Sequence, residues 1–256
     1  MPAGVFDLFK LGVGPSSSHT MGPMTAGARF LRGLAQAPGL ASVARVETTL
    51  YASLAMTGRG HATDRAVILG LAGFEPATLD PDAAEAALAR IGDEGRLALG
   101  GEGPAIEFDP ARDILWEGRT RLPQHPNALR FRALGAEGQL LAEQVYFSIG
   151  GGFVVDEAEF GQPPKADGPV VPYDFTSADE LLAMAEGAGV TIAELMWRNE
   201  TARRAPEEVN AGLDAIFEAM EACIERGLRQ DGCLPGGLKV RRRAQQHFNE
   251  LTRRME

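Results

Sequence analysis

The apolar residues of the chain recur with two different periods, and the change of period divides the chain into parts. Apolar residues at helical spacing run from Met21 to about Gln36 and from Arg65 to about Leu71. Between Gly101 and Phe153, short apolar and β-branched runs alternate with turn residues, which is typical of strands. Helical spacing returns after residue 176. The pattern predicts an α+β protein, with an N-terminal mixed α/β, sandwich-like domain followed by an all-helical segment.

The N-terminal part is expected to contain strands and helices in mixed order. Residues 42–53 are rich in β-branched side chains and predict a strand, and Pro81 opens an Ala-rich helix that ends near Gly92. Thr63 or Asp64 is the expected cap of the helix that begins at Arg65. Further strands are predicted at Ala105–Phe108, Ile114–Trp116, Ala128–Ala133, Gln139–Ser148 and Phe153–Val155, with a hairpin loop at Gly135–Gly138.

The C-terminal part begins with a proline-rich segment, residues 157–175, which predicts a linker. Two capping-box patterns follow it, Ser177 with Glu180 and Thr191 with Glu194. Pro206 opens a longer helix that runs to about Arg229, with Ile216, Met220, Ile224 and Leu228 at helical spacing. Cys223 falls in this apolar stripe and is expected in the core. A last helix is predicted from Lys239 onward.

Composition narrows the class of protein. The chain has 256 residues, of which 45% are hydrophobic, enough for a packed core. Its formal net charge of −10 argues against a nucleic-acid surface, and the basic cluster at Lys239 and Arg241–Arg243 is interpreted as a solvated helix face. No apolar run reaches the length of a membrane span, and no signal-peptide pattern begins the chain. A cytoplasmic protein with neither nucleic acid nor membrane as partner is expected.

The stretch Gly14–Thr20 is the strongest candidate for a binding site. It reads Gly-Pro-Ser-Ser-Ser-His-Thr and leads directly into a predicted helix with Pro23 in its first turn. A helix start offers free backbone N–H groups and the positive end of a dipole, which suit a phosphate or a carboxylate. The side chains of Ser16, Ser17, Ser18, His19 and Thr20 add donors around that point.

Three of the four histidines lie in loops of the N-terminal part, where a rigid scaffold can present them. His61, flanked by Gly60 and Ala62, is the first choice for a general base, and His19 is interpreted as a binder or orienter of substrate. A nucleophilic Ser17 or Ser18 activated by His19 is the weaker alternative, because no G-x-S-x-G elbow surrounds the serines.

The two remaining histidines are weaker candidates. His125 lies in a turn with Asn127, and a structural role there is about as well supported as a polar contact to a ligand. His247 lies in a basic predicted helix and is expected to face solvent.

Three motifs together resemble one family. Gly14–Thr20 and the stretch Thr-Gly-Arg-Gly-His-Ala-Thr-Asp at 57–64 resemble the N-terminal half of the iron–sulfur-dependent L-serine dehydratases, also called L-serine ammonia-lyases. The stretch Leu-Pro-Gly-Gly-Leu-Lys-Val at 234–240, followed by Arg242, resembles the opening of that family's catalytic α domain. The resemblance implies a β-type domain at 1–156, similar to allosteric substrate-binding domains, a linker at 157–175, and a shortened α-type domain at 176–256.

The resemblance also implies a reaction. The family removes water from L-serine to give aminoacrylate, which tautomerises and hydrolyses to pyruvate and ammonia. A [4Fe-4S] cluster with three cysteine ligands binds the substrate hydroxyl, and a base removes the α-proton. Transferred to this chain, the base is His61 and the carboxylate clamp is Ser16–Thr20. The remaining expected substrate contacts are Thr63, Asp64, His125 and Asn127.

The cysteines depart from the family pattern. Cys223 and Cys233 are too few for three cluster ligands, so the sequence predicts no metal ligands in this chain and no dehydratase activity of the chain alone. The expected partners are L-serine and either a second copy in a homodimer or a chain that supplies the missing α domain. Two alternatives remain open: a serine-binding regulatory module without catalysis, and a Ser/His hydrolase.

Overall fold

The computed structural model describes residues 4–37, 39–162, 170–234 and 239–253. Its contacts divide the chain into two units, each described separately below. The larger unit comprises Gly12–Gly161 with Gly232–Arg241, and the smaller comprises Met1–Leu11, Gln162–Asp231 and Arg242–Glu256. The larger unit combines helices with a mixed sheet and the smaller one is helical in its described residues, so the predicted α+β class is confirmed.

The described strands all lie in the larger unit. In chain order they are β1 (Arg45–Tyr51), β2 (Arg96–Ala98), β3 (Ala105–Glu107), β4 (Ile114–Glu117), β5 (Ala128–Leu134), β6 (Leu140–Gly150) and β7 (Phe153–Asp156). The main sheet has the order β4-β1-β5-β6-β7, in which β1 and β4 are parallel and the other neighbours are antiparallel. Strands β2 and β3 pair separately.

The helices are numbered along the whole chain. Those of the larger unit are α2 (Gly22–Gln36), α3 (Ala52–Thr57), α4 (Thr63–Leu71), α5 (Pro81–Glu94) and α6 (Pro110–Asp113). Those of the smaller unit are α1 (Val5–Leu8), α7 (Ala178–Ala188), α8 (Ile192–Thr201), α9 (Pro206–Arg229) and α10 (Ala244–Arg253).

The core of the larger unit lies between one face of the sheet and the helices α2 and α4. Successive side chains of a strand point to opposite faces, so Val46 and Leu50 of β1 face these helices, and both are fully buried. Phe30 of α2 stacks on Phe131 of β5 with ring centroids 5.1 Å apart. On the other face, Tyr51, Ala128 and Phe147 form a smaller buried cluster. Burial of this apolar area, at roughly 25 cal/mol per Å2, is the main stabilising term for the unit.

Most predicted elements of the larger unit are confirmed. The helices beginning near Gly22, Thr63 and Pro81 are present, and so is each strand predicted from residue 42 onward. The hairpin at Gly135–Gly138 joins two antiparallel strands as expected. Strand β2 and the short helices α3 and α6 were not predicted. They have three, six and four residues, too few for a periodic pattern to appear.

The smaller unit confirms the helix starts read from the sequence. Ser177 and Thr191 each accept a hydrogen bond from the amide three residues on, so both capping boxes are present. Helix α9 spans the predicted range. Glu200 is buried at 1% exposure and its carboxylate accepts a hydrogen bond from the amide of Val5 at 2.6 Å, which ties α1 to α8. No helix among the described residues combines the length and apolarity needed to cross a bilayer.

Two predictions for the C-terminal part of the chain are wrong. Cys223 is exposed rather than in the core, because the described residues leave the apolar stripe of α9 uncovered, with Met220 at 55% and Ile224 at 60% exposure. The last helix begins at Ala244 rather than Lys239. Lys239 has a positive φ of 50° and Arg241 forms a β-bridge with Cys233, and neither conformation is helical. His247 is exposed as expected.

Some predictions fall partly outside the described residues. Residues 163–169 of the expected linker, and Pro235–Leu238 of the motif that resembles the α-domain opening, lie there. The division at 1–156, 157–175 and 176–256 therefore stays a prediction.

The crossing of α2 and α4 provides a test of the fold. A methyl group at Gly70 of α4 would overlap the carbonyl oxygen of Met24 and lie 3.1 Å from the amide nitrogen of Ala28. We expect Gly70→Ala to lower the free energy of unfolding by about 1–3 kcal/mol, as overpacking does. Gly33→Ala is the matched control, because Gly33 is exposed on α2 with open space around it. It should raise stability by about 0.5–1 kcal/mol. Urea titration followed by circular dichroism measures both, and equal stability of the two variants would contradict the described crossing.

Candidate active site

The candidate site lies at one end of the sheet, where the turn that contains His19 leads into α2. Strands β1 and β6 run in the same direction because each is antiparallel to β5. The C-terminal ends of β1 and β6 therefore lie beside the N-terminal end of β5. Two backbone hydrogen bonds join these ends: the amide of Ser53 donates to Pro126 O at 3.2 Å, and the amide of Ser148 donates to Asn127 O at 2.9 Å.

The serine-rich stretch is a helical turn rather than the predicted loop. Ser17–Met21 forms a single π-helical turn that continues into α2, with Pro23 in the first turn of α2 as expected. Ser16 caps it: its hydroxyl accepts from the amide of His19 at 3.2 Å, and its carbonyl accepts from Thr20 at 2.9 Å. The amides of Ser17 and Ser18 have no acceptor among the described residues. The turn thus presents two free N–H groups at a helix start.

His19 is held at both ring nitrogens. Its Nδ1 lies 2.9 Å from the hydroxyl of Ser18, and its Nε2 lies 3.0 Å from the hydroxyl of Ser53. Burial lowers the pKa of His19 below its ordinary value of 6.5, and the neighbouring His61 lowers that pKa further. His19 is therefore uncharged at neutral pH, with one ring nitrogen donating and the other accepting.

His61 is held at one ring nitrogen. It ends a 3-10 turn at Gly58–His61, where its Nδ1 lies 2.9 Å from the carbonyl oxygen of Thr57. A carbonyl oxygen only accepts, so Nδ1 carries a proton, and in the neutral form of the ring Nε2 carries the lone pair. No partner of Nε2 occurs among the described residues. The imidazoles of His61 and His19 lie 4.9 Å apart between centroids, tilted by 41°.

Two threonines connect the turns that carry these histidines. The hydroxyl of Thr20, next to His19, donates to the carbonyl oxygen of His61 at 2.8 Å. The hydroxyl of Thr63, two residues after His61, donates to the carbonyl oxygen of His19 at 2.6 Å. Both threonines are buried, at 4% and 0% exposure, so water does not compete for these bonds. We call this pair of bonds the threonine clasp.

The predicted cap of α4 is wrong, and the clasp explains why. The N-cap residue is Ala62, in the left-handed conformation at φ 53°, and no side chain caps the helix. The hydroxyl of Thr63 is engaged with His19 instead. The carboxylate of Asp64 accepts a hydrogen bond from the amide of Arg65 at 3.0 Å.

The turn that contains His125 lies at the same end of the sheet. The Nδ1 atom of His125 accepts a hydrogen bond from the amide of Asn127 at 3.1 Å. Burial lowers the pKa of His125, and the positive charge of Arg121 lowers it too. The side-chain amide of Asn127 lies 3.4 Å from the carbonyl oxygen of Ser148, and the hydroxyl of Ser148 donates to Ser18 O at 2.8 Å. The turn is thereby linked to the serine-rich turn.

Sequence reasoning missed Ser53 and Ser148. Each is a hydroxyl residue at the end of a predicted strand: Ser53 is the second residue of α3, which directly follows β1, and Ser148 is fully buried near the end of β6. The strand pattern contained a usable signal. Two strands that run in the same direction end at the same edge of a sheet, and a polar residue at such an end is a candidate for the site.

The described residues do not fit an iron–sulfur cluster. Such a cluster is held by cysteine thiolates. Cys223 and Cys233 are both exposed, and one belongs to the smaller unit and the other to the larger. No group of three or more His, Cys, Asp or Glu side chains suited to a metal ion occurs in the described part of the chain.

Comparison with known proteins identifies the family. The family model described as serine dehydratase beta chain matches residues 4–159, more than half of the chain. The chain therefore belongs to the serine dehydratase beta chain family, and the resemblance seen in its motifs is confirmed.

Curated relatives match over nearly all of this chain. It is 45% identical over 245 residues to the L-serine dehydratase of Streptomyces coelicolor, and the match covers 95% of this chain and 54% of that protein. It is 42% identical over 239 residues to the L-serine dehydratase TdcG of Escherichia coli, and the match covers 93% of this chain and 52% of that protein. It is 39% identical over 247 residues to the L-serine dehydratase of Haemophilus influenzae, and the match covers 96% of this chain and 54% of that protein. The chain thus spans about half the length of the curated relatives it matches.

The lowered pKa of His19 can be measured directly. A lowered pKa means that protonation of His19 is disfavoured in the folded chain, so we expect its ring to be mostly neutral at pH 6.5, with a titration midpoint below that value. The variant His61→Gln removes one of the two causes that lower the pKa of His19, so it should move the titration midpoint of His19 upward. Titration of the imidazole Cε1 proton by NMR measures both, with a short histidine peptide as the reference. A midpoint at or above 6.5 in the parent chain would contradict the described burial.

Proposed function

We propose that this chain carries the L-serine site of an L-serine dehydratase. The observation that carries the proposal is the pair of imidazoles 4.9 Å apart, one with a lone pair on Nε2, beside a helical turn with two free amides. The names of the curated relatives support the substrate and the reaction. Serine needs an anion site for its carboxylate and a base for its α-proton, and this end of the sheet offers both types of group.

The carboxylate site is assigned to the serine-rich turn. The amides of Ser17 and Ser18 point from the start of a helix that continues for a further fifteen residues as α2, so the helix dipole adds to their attraction for an anion. Hydroxyls of Ser16 and Ser17 lie on the same turn and supply further donors. A small carboxylate is the ligand that this arrangement suits best.

The proton acceptor is assigned to His61. Its Nδ1 proton is held by Thr57 O, which leaves the Nε2 lone pair as the acceptor for the α-proton. His19 is occupied at both ring nitrogens and serves to orient its neighbours. The hydroxyls of Thr20 and Thr63 donate to backbone oxygens, so we assign them to positioning rather than to direct contact with serine.

Three predicted substrate contacts remain to be assigned. Asp64 follows His61 at the start of α4, and His125 and Asn127 lie in the turn that leads into β5. We assign them to the polar ends of the substrate. Loss of the α-proton and of the hydroxyl gives aminoacrylate, and hydrolysis of its imine tautomer gives pyruvate and ammonia.

The iron–sulfur chemistry implied by the resemblance has no ligand set among the described residues of this chain. We propose that its ligands are supplied from outside those residues, and that the chain by itself binds serine without dehydrating it. The same observation favours the second candidate function, a serine-binding regulatory module. The two differ at His61, because a module that only binds serine has no need for a base at that position.

A pair of variants at Ser17 tests the carboxylate site. Ser17→Pro removes one amide N–H, and the backbone accepts it: Ser17 is the first helical residue, and Ser16 before it is extended at φ −137° and ψ 134°. Ser17→Ala keeps the amide and is the matched control. We expect Ser17→Pro to weaken L-serine binding tenfold or more, since hydrogen bonds to charged groups are worth about 1.5–3 kcal/mol. Both variants lack the Ser17 hydroxyl and only Ser17→Pro also lacks the amide N–H, so Ser17→Ala should bind L-serine more tightly than Ser17→Pro does. Isothermal titration calorimetry measures both, and equal affinities would contradict the assignment.

A further inference from the structure

Arg59 lies two residues before His61, in the 3-10 turn Gly58–His61. It is exposed, and no carboxylate pairs with it among the described residues. Its guanidinium instead lies over the ring of Trp116, 4.6 Å from the ring centroid. A cation in this position is attracted by the negative face of the indole. The side chain of Arg59 is therefore held by an aromatic ring rather than by an ion pair.

Trp116 also packs against the backbone of this turn. A Cβ atom at Gly58 would lie 2.9 Å from the Trp116 ring and 3.0 Å from the hydroxyl oxygen of Thr63. Gly58 is therefore enclosed between that ring and the threonine clasp. Trp116 is itself fixed, because it lies opposite Leu50 in the pairing of β4 with β1 and packs on the main core. The turn thus rests on a ring that the sheet holds in place.

The same turn sets the direction of the His61 imidazole. Nδ1 of His61 donates to the carbonyl oxygen of Thr57 at 2.9 Å, so this bond spans Gly58 and Arg59. The next residue, Ala62, has a positive φ of 53°. A positive φ is uncommon for a residue other than glycine and persists only where the surroundings impose it. The orientation of His61 therefore depends on the contacts that hold the backbone of this turn.

We propose that Arg59 is a positioning residue for His61. By stacking on Trp116, Arg59 holds the turn so that His61 keeps its hydrogen bond to Thr57 O and presents Nε2. The consequence for L-serine rests on the proposed function, in which Nε2 of His61 meets the substrate. The competing role for Arg59 is a direct contact of its charge with the serine carboxylate, and that role does not need Trp116.

A double-mutant cycle separates the two roles. L-serine affinity is measured by calorimetry on the full chain, on Arg59→Ala, on Trp116→Leu and on the double variant. Arg59→Ala is expected to weaken binding about two- to fivefold, the factor that corresponds to a cation–π contact at an exposed site. In the Trp116→Leu background the ring is absent, so Arg59→Ala should add no further loss. Equal losses in both backgrounds, or no loss in Arg59→Ala, would overturn the proposal.

The orientation of His61 is read separately by long-range 1H–15N correlation at about pH 8, above the ordinary histidine pKa. The parent chain should show the His61 ring proton on Nδ1, because Thr57 O only accepts. In Arg59→Ala we expect part of this proton to move to Nε2. Arg59→Lys keeps a cation for the ring and should retain the parent spectrum. An Arg59→Ala variant that melts at a lower temperature with an unchanged His61 spectrum would show a structural role only and overturn the proposal.

Arg119→Ala is the matched control. Arg119 is exposed just after β4 and contacts no aromatic ring among the described residues. Its loss removes the same charge and should leave both the serine affinity and the His61 spectrum unchanged. A parent chain that binds no serine would overturn the proposed function, and the His61 spectra would then decide the role of Arg59 by themselves.

Discussion

The candidate site depends on the threonine clasp. Thr20 and Thr63 each donate to the backbone carbonyl of the histidine on the opposite turn, and both hydroxyls are buried. A buried carbonyl that lost its donor would carry the desolvation penalty of an unpaired polar group, about 1–3 kcal/mol, so the two turns stay together. The clasp sets the 4.9 Å spacing of the imidazoles of His19 and His61. Hydrogen bonds to the hydroxyls of Ser18 and Ser53 and to the backbone carbonyl of Thr57 then fix how each imidazole is turned.

The sheet determines where these turns meet. Strands β1 and β6 deliver Ser53 and Ser148 to the edge at which β5 begins with the turn of His125 and Asn127. Helix α2 starts at the same edge with the serine-rich turn, and its packing on α4 leaves no room for a side chain at Gly70. The site is therefore built from four stretches of the chain, at 16–21, 53–64, 125–127 and the end of β6, each held by the core or by ladder hydrogen bonds. Such rigidity lowers the entropic cost of ordering the side chains when a small ligand binds.

Local signals predicted the elements, and long-range contacts decided the details of the site. Alternation of apolar residues located β1, β5 and β6, and capping pairs such as Ser177 with Glu180 located helix starts. The role of Thr63 was mispredicted because its partner, the carbonyl of His19, is 44 residues away in sequence. Cys223 was predicted in the core because it lies in the apolar stripe of α9. An apolar stripe in the sequence does not show whether another element packs on it, and Cys223 is exposed. Ser53 and Ser148 were missed because strand register brings them to the site, and no motif marks them.

Our proposal that this chain recognises serine rests on its family membership and on the geometry of the larger unit. The described residues provide no ligand set for an iron–sulfur cluster. The most direct test combines three readings on the purified chain after anoxic reconstitution with iron and sulfide: L-serine binding, bound iron, and pyruvate formed from L-serine. We predict that L-serine binds, that no iron is retained and that no pyruvate forms. Pyruvate formed in proportion to bound iron would contradict the account, because the chain would then hold the catalytic metal itself.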